Sequence, residues 1–517
     1  MNEQILNSIF KRDDLRGVVP AEFNPAAAAA AAIAFTRLLP APGGAIAVGG
    51  DARESTPALK TAIISALLKN GCRVDDFGLC SSEEIYYACG ARGDRYAGGI
   101  MVTASHNPRE YNGMKFLFSG ALPLSGEEMA EMRRLMAAMP LEGSPAGETA
   151  AADPAGLSGY RQCSLRSEMA DFLLSHAAFD RSAAAPQRRL KIVIGAGHGV
   201  GAVAFQEIAR RLSPLGFDFL YLDAEPDGTF HHGMPNPLLP QFMQRIGDCV
   251  RANHADLGIG FDGDADRAGF VDEQGNEIIP AQVYSLVAQC KLSALPPGHA
   301  RPLLMRNICC SQLIPDCFQD CCEIIDTPVG HGIIKKLMRH PAFRDRVLFA
   351  GEHSGHYFYP EFHYVDSGAL TSLYMLRQLS QITAAGQSLS EKLAPWRQRY
   401  CWSGELNCAL PSRQELFTAM SRICRDWQDR PGVLLQSIAT DARLGLPVVS
   451  TLTGTYSPEQ APFPDLKVSC RESDDCSWWF VVRPSGNEPK LRLNVEVCGS
   501  NCVERCRLLV EQLKLNQ

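Results

Sequence analysis

Short apolar runs, partly β-branched and bounded by glycine-rich or charged loops, recur along this chain and alternate with stretches of helical composition. A charged loop over residues 10–17 ends in Arg16-Gly17. Asn24-Pro25 then opens an alanine run over 26–32. Asparagine is a good N-cap, proline is tolerated at the first helical position and alanine has the highest helix propensity, so this stretch predicts a helix. A strand over 44–48, a loop over 49–57, a helix near 57–69 and a strand over 73–77 follow. Residues 96–102 read as a buried strand, and Ser105 sits on the loop leaving its end. Open α/β sheets place their chemistry at such strand ends. Asn112-Gly113 reads as a turn.

The same alternation resumes after residues 140–157, whose Pro, Gly and Ala mark a surface connection. A strand over 190–194 leads into the glycine-rich turn 195–201 and a helix, a geometry that can cradle phosphate or simply permit close packing. Another strand runs over 256–261. A third unit starts at Pro280, with strands near 302–306 and 322–326, and residues 376–400 read as helix and linker. The last unit closes with strands over 478–482 and 491–497 and a C-terminal helix.

The length of 517 residues fits three or four domains of about 100–200 residues each. With 46% hydrophobic and 21% charged residues the chain has enough apolar material for real cores. A net charge of −7 gives no reason to expect nucleic acid or an anionic membrane as partner. The opening Met-Asn-Glu-Gln-Ile lacks a signal peptide's basic start, and no apolar run approaches the ~18 residues that span a bilayer. The 19 cysteines are odd in number, scattered and without a Cys-x-x-Cys pattern, which fits reduced thiols in a cytoplasmic protein.

Four loops carry candidate chemistry. Ser105, in Thr103-Ala-Ser-His-Asn-Pro108, offers an exposed hydroxyl that needs activation or prior modification to act as a nucleophile. Asp262, Asp264 and Asp266 alternate on one short loop, where they repel each other unless a cation sits among them. All-oxygen ligation selects magnesium or calcium, and Arg267 beside them suits a phosphate oxygen. In Gly351-Glu-His-Ser-Gly-His356, Glu352 and Ser354 provide an acceptor and a donor spaced to grip adjacent sugar hydroxyls. In Arg483-Pro-Ser-Gly-Asn-Glu-Pro-Lys490, Arg483, Ser485, Gly486 and Asn487 supply the donors of a phosphate cradle. Together they point to phosphoryl transfer on a sugar phosphate.

These four stretches resemble, in order and across nearly the whole chain, those of the α-D-phosphohexomutase superfamily in its phosphomannomutase/phosphoglucomutase branch. The serine loop pattern is repeated at 103–108, the metal loop at 262–267, the sugar loop at 351–356, and the phosphate loop at 483–489 except for Asn487. Glu225-Pro-Asp-Gly228, Pro235-Asn-Pro237 and Thr327-Pro-Val-Gly-His331 are lesser matches.

The resemblance implies an α/β protein of four domains around a central cleft: three related α/β units with mixed sheets and a smaller C-terminal α+β domain. The boundaries expected are 1–155, 156–276, 277–390 and 391–517. It implies an isomerase that interconverts hexose 1-phosphate and hexose 6-phosphate, of mannose or glucose, through phosphoserine at Ser105 and a hexose 1,6-bisphosphate. Magnesium is the implied metal, held by Ser105, Asp262, Asp264 and Asp266, and hexose 1,6-bisphosphate the priming activator. Lys115, Arg16 and His331 match positions near the reacting groups, with Lys115 or His331 expected to help the proton transfer. Arg267, Glu352, Ser354, His356, Arg483, Ser485, Gly486, Asn487 and Arg492 are the implied substrate-binding set. A monomer or homodimer acting on small hexose phosphates is expected. A phosphoglucosamine mutase, a magnesium-dependent sugar phosphatase and a sugar-phosphate binding protein are the alternatives. Four departures from the family pattern stand out: Asp13 in place of an early tyrosine, Asn487 for threonine or serine, Pro328 for lysine, and Asp366-Ser-Gly368 for a more acidic run.

Overall fold

The computed structural model describes residues 3–40, 43–139, 156–179, 186–452, 456–459, 465–485 and 490–513. The chain forms two compact units, residues 1–279 with 355–389, and residues 280–354 with 390–517. All but the last two residues of the expected connection 140–157 lie outside the described residues.

In the first unit, the strand Ala45–Gly50 is buried at every position and lies parallel to Arg73–Leu79 on one side and Tyr96–Val102 on the other. A strand covered on both faces has no solvent face to mark with polar residues, which is why its sequence is continuously apolar. Helices Pro25–Thr36, Thr56–Lys69 and Gly126–Ala138 cover one face of the sheet, burying Phe35, Ile63 and Met132 against Ile46, Val48 and Ile100. Asn24 caps the first of these helices as expected, its side chain accepting from Ala27 N at 2.9 Å.

Two readings of this region change. Asn112-Gly113 does not turn; both lie inside the strand Tyr111–Phe118, antiparallel to Tyr96–Val102. The Asn112 side chain is buried and donates to Ser55 and Thr56 hydroxyls at 2.9 and 3.0 Å. A Cβ at Gly113 would lie 1.9 Å from Leu15 O, so the glycine serves close strand approach. The approaching strand is Leu15–Val18, within and just beyond the stretch read as a charged loop. It is a four-residue edge strand, too short to show periodicity, and its order comes from pairing with Tyr111–Phe118.

A second sheet places Leu190–Gly195 between parallel strands Phe217–Leu222 and Leu257–Phe261. Leu257–Phe261 then forms an antiparallel hairpin with Ala268–Asp272, and the three-aspartate loop is its tip. The glycine turn 195–201 packs on that tip: Val200 N donates to Gly263 O at 3.2 Å, and a Cβ at Gly199 would meet the same carbonyl at 3.0 Å. Close packing is therefore the use this turn shows. The helix Gly368–Ala384 belongs to the same unit and is capped by Ser367, which accepts from Leu370 N at 2.9 Å.

In the second unit, Leu303–Asn307 lies between parallel strands Glu323–Thr327 and Val347–Gly351. The stretch read as helix and linker is helical again over Leu389–Arg399. A six-stranded antiparallel sheet, in the order Tyr400–Ala409, Lys490–Gly499, Cys476–Pro484, Leu466–Arg471, Val433–Asp441, Leu446–Thr451, completes the unit. Helices Arg413–Gln428 and Cys502–Leu513 seat Met420, Trp427 and Leu509 against its Phe480 and Val495. No helix among the described residues is long and apolar enough to cross a membrane. All nineteen cysteines are free.

Candidate active site

The serine loop leaves the strand Tyr96–Val102 and turns back at Ser105, a non-glycine residue in the left-handed region at φ 51°. Such a conformation costs about 1–3 kcal/mol and persists where surroundings over-determine it. Here a chain of side chains does so. Asp51 accepts from the Thr103 hydroxyl at 2.7 Å, and the same hydroxyl accepts from Ser105 N at 2.8 Å. Arg53, wholly buried, pairs with Asp51 at 3.1 Å. It also donates to the carbonyls of Ser105, Asn107, Pro108 and Tyr111 at 2.8, 2.7, 2.7 and 2.8 Å. Arg16 adds donations to Ala104 O at 3.2 Å and to the Asn107 side chain at 2.7 Å, and is itself anchored by Asp14. Arg16 thus grips the loop that carries Ser105.

Held this way, the Ser105 hydroxyl donates to Asp262 Oδ2 at 2.8 Å and accepts from Arg267 Nη2 at 3.0 Å. His106 Nδ1 is 3.2 Å from Ser105 Oγ and 2.5 Å from the Arg267 guanidinium. Burial, then Arg267 and Arg16, holds the imidazole well below its usual pKa, so His106 is neutral and accepts from Arg267. The aspartate loop is as tightly built. A Cβ at Gly263 would sit 2.5 Å from Ser105 O, so only glycine lets the two loops meet.

Lys115 comes from the strand Tyr111–Phe118, and its Nζ lies 2.6 Å from both Asp264 Oδ2 and Asp266 Oδ2. Burial opposes its charge, yet the two carboxylates outweigh burial and hold the ammonium well above the usual lysine range. Ser82 also donates to Asp264 Oδ2 at 2.6 Å and Tyr86 to Asp266 Oδ2 at 3.1 Å. The outer oxygens, Asp264 Oδ1 and Asp266 Oδ1, are buried with no hydrogen-bond partner among the described residues. One oxygen from each of Asp262, Asp264 and Asp266 falls within 4.8 Å of the others. Converging, unsatisfied carboxylate oxygens fit a hard divalent cation of the magnesium class. His356, expected among the substrate-binding residues, lies with this centre: its Nδ1 is 2.6 Å from Asp366 Oδ2, and both group with Asp266.

Glu83, one residue along from Ser82, is buried with one oxygen accepting from Ala369 N at 2.9 Å and the other without a hydrogen-bond partner among the described residues. Burial pushes its carboxyl up to about 8, the Ala369 N–H pulling only partly back. An acid raised in the folded state contributes stability that is full below its unfolded value, about 4.3, and is lost as pH rises through the folded value. Glu83→Gln removes that dependence. The melting-temperature difference between variant and parent should therefore move in the variant's favour between pH 5 and pH 8.5; a difference constant across that range would refute it.

The other expected residues lie in the second unit. Glu352 accepts from Asn307 Nδ2 at 3.0 Å and from Gly330 N at 2.8 Å. Gly330 is the residue before His331, which opens the helix His331–Arg339, so the sugar loop and His331 are adjacent in this unit. Ser354 is half-buried at the end of the sugar loop. Arg483 and Arg492 stand directly opposite each other on neighbouring strands, where like charges repel. Glu405 answers both: it pairs with Arg483 and accepts from Arg492 at 3.0 Å, with His353 Nε2 3.5 Å away. Burial would raise its pKa, but His353 and the two arginines hold its carboxyl far below the usual range. With one carboxylate shared between them, the two facing arginines keep one positive charge, which suits a phosphate. Ser485 N donates to Lys490 O at 2.8 Å and closes the phosphate loop, whose Gly486 and Asn487 lie outside the described residues.

Sequence reasoning missed Asp51 and Arg53, Ser82, Tyr86, Asn307 and Glu405. Asp51 and Arg53 lie in a stretch read only as a loop, and their partners are some fifty residues away.

Four domain patterns of one family match the chain. Phosphoglucomutase/phosphomannomutase alpha/beta/alpha domains I, II and III match residues 7–141, 170–275 and 280–400, and the C-terminal domain matches 465–512. A protein named for phosphohexose mutases from Xanthomonas campestris pv. campestris is 32% identical over 495 residues, 95% of each chain. A phosphomannomutase from Salmonella typhimurium is 32% identical, covering 98% of this chain and 99% of its own. The fold is also that of a phosphoglucomutase/phosphomannomutase family protein from Burkholderia thailandensis, with TM-score 0.74 and 22% identity, over 99% of this chain and 97% of that one. The mixed α/β sheets followed by an antiparallel C-terminal sheet agree with the architecture expected from the motifs. With all four domain patterns present in order, the chain belongs to the phosphoglucomutase/phosphomannomutase family of phosphohexomutases.

Proposed function

We propose that this enzyme interconverts hexose 1-phosphate and hexose 6-phosphate, of mannose or glucose, with Ser105 carrying the phosphoryl group. The observation that carries the reading is the Ser105 hydroxyl set between Asp262 at 2.8 Å and Arg267 at 3.0 Å. The phosphoryl group passes from Ser105 Oγ to the free hydroxyl of the bound hexose phosphate: the Oγ–P bond breaks and a sugar O–P bond forms. The resulting hexose 1,6-bisphosphate turns over, its other phosphoryl group returns to Ser105, and the hexose 6-phosphate leaves.

Magnesium, held by Asp262, Asp264, Asp266 and the Ser105 phosphate, supplies positive charge against the group in transfer. Arg267 donates to the same group, and Arg53 and Arg16 keep Oγ in place. Arg483, Ser485, Gly486, Asn487 and Arg492 hold the phosphate that is not reacting, while Glu352, Ser354 and His356 read the sugar hydroxyls. Lys115 or His331 moves the proton, Lys115 from its charged form between Asp264 and Asp266. The four domains divide near residues 155, 276 and 390. The enzyme works in the cytoplasm as a monomer or homodimer, primed by hexose 1,6-bisphosphate.

The test follows hexose 6-phosphate and free phosphate together, from glucose 1-phosphate or mannose 1-phosphate, with magnesium and a trace of glucose 1,6-bisphosphate. Hexose 6-phosphate without free phosphate supports the mutase. Free phosphate in step with substrate loss replaces it with a phosphatase. Inactivity on both sugars with turnover of glucosamine phosphate moves the reading to a phosphoglucosamine mutase.

A further inference from the structure

The glycine turn 195–201 carries His198, a second non-glycine residue in the left-handed region, at φ 66°. Its Nδ1 is 2.9 Å from Glu225 O, which makes Nδ1 the donor and leaves Nε2 with a lone pair. That lone pair meets His232 Nδ1 at 3.1 Å and Asp223 Oδ1 at 3.7 Å, and the latter two atoms are 2.9 Å apart. His231 packs on both rings at 4.2 Å between centroids, and one nitrogen from each of the three histidines lies within 4.8 Å of the others. His231 Nδ1 is 3.2 Å from Asp227.

Two ligands each ~2.0–2.1 Å from a tetrahedral ion stand roughly 3.3 Å apart. The three separations fall on either side of that value, so Nε2, Nδ1 and Oδ1 move only tenths of an ångström to share one ion. The outer contacts are those of a metal site as well. A backbone carbonyl fixes the His198 tautomer, and Arg245 orients the Asp223 carboxylate from behind, donating to Oδ2 at 2.8 Å and to Oδ1 at 3.2 Å while a second lone pair of Oδ1 faces the histidines.

We propose that His198, His231 and His232, with Asp223, bind one divalent transition metal of the zinc, nickel and copper class. Imidazole ligands select these ions over magnesium, which takes oxygen ligands, so the site does not compete with the aspartate loop for its metal. Since Val200 and Gly199 of the same turn support Gly263, an ion here also pins the seat of that loop.

The experiment uses the chelator-stripped full chain with millimolar magnesium present, titrated with cobalt(II) and then displaced by zinc. One equivalent of cobalt should bind at micromolar concentration, with the visible bands of a tetrahedral nitrogen and oxygen site, and should raise the melting temperature. His231→Ala with His232→Ala, at side chains 50% and 43% exposed, should weaken binding more than a hundredfold without changing the metal-free melting temperature. Asp262→Asn should bind cobalt as the parent does. Unchanged binding in the double histidine variant, loss of binding in Asp262→Asn, or a near-ultraviolet thiolate band from the cysteines would each overturn the site.

Discussion

Ser105→Ala should abolish hexose phosphate turnover, by at least ~10⁴-fold in kcat, while leaving the fold in place. Removing a nucleophile from a preorganised site acts on that scale, because no other group can take its bond. The substitution removes one hydroxyl that donates to Asp262 and accepts from Arg267, and those two still satisfy each other at 2.7 Å. Stability should therefore change by no more than about 1.5 kcal/mol, the net worth of a hydrogen bond. Steady-state rates and urea denaturation on the same preparation separate the two effects. A variant that keeps a few per cent of parental turnover would remove Ser105 from the chemistry.

Arg53→Met comes next in expected size, and it should strike stability and rate together. The side chain has no exposed surface and satisfies five oxygens: one on Asp51 and the carbonyls of Ser105, Asn107, Pro108 and Tyr111. Methionine fills much of the volume but leaves a buried carboxylate without its cation, a loss of about 3–5 kcal/mol. Against a total of about 5–15 kcal/mol this is severe. The released loop also lets Ser105 drift, and a displacement of about 1 Å at a reacting atom costs ~100-fold. Arg53→Lys restores charge but not the planar fork that reaches several carbonyls, so it should recover stability in part and rate far less. Arg53 is a positioning residue on this account. A methionine variant within 1 kcal/mol of the parent in urea would show that the loop holds its shape unaided.

Much of the site was legible because its chemistry is local. Three alternating aspartates, a serine at a strand end, and a glycine-rich loop with an arginine each fit within one short stretch, and their residue types constrain what they can do. Asn24 with Pro25 was legible for the same reason, since a cap is satisfied within three residues. What escaped is non-local. Arg53 makes sense only once the carbonyls some fifty residues on are beside it, and Glu405 only once Arg483 and Arg492 face each other across strands. Asn112-Gly113 misled because a glycine that admits a neighbouring backbone looks, in sequence, like one that turns. Lys115 was expected only through the family resemblance, and its pairing with Asp264 and Asp266 needed the hairpin folded against its strand.

That pairing bears on how the protein keeps its shape when stripped of metal. Three buried carboxylates with no counter-ions would force the hairpin tip open, as they do in domains that unfold on demetallation. Here Lys115 and Arg267 are resident cations, leaving one net negative charge among the five groups. With the histidine cluster empty throughout, removing magnesium alone should silence turnover yet leave circular dichroism and the melting temperature nearly unchanged, and added magnesium should restore the rate without a refolding lag. The enzyme can then be made, stored and emptied as a folded apoprotein, and whichever hard divalent ion is to hand can enter a socket that is already built.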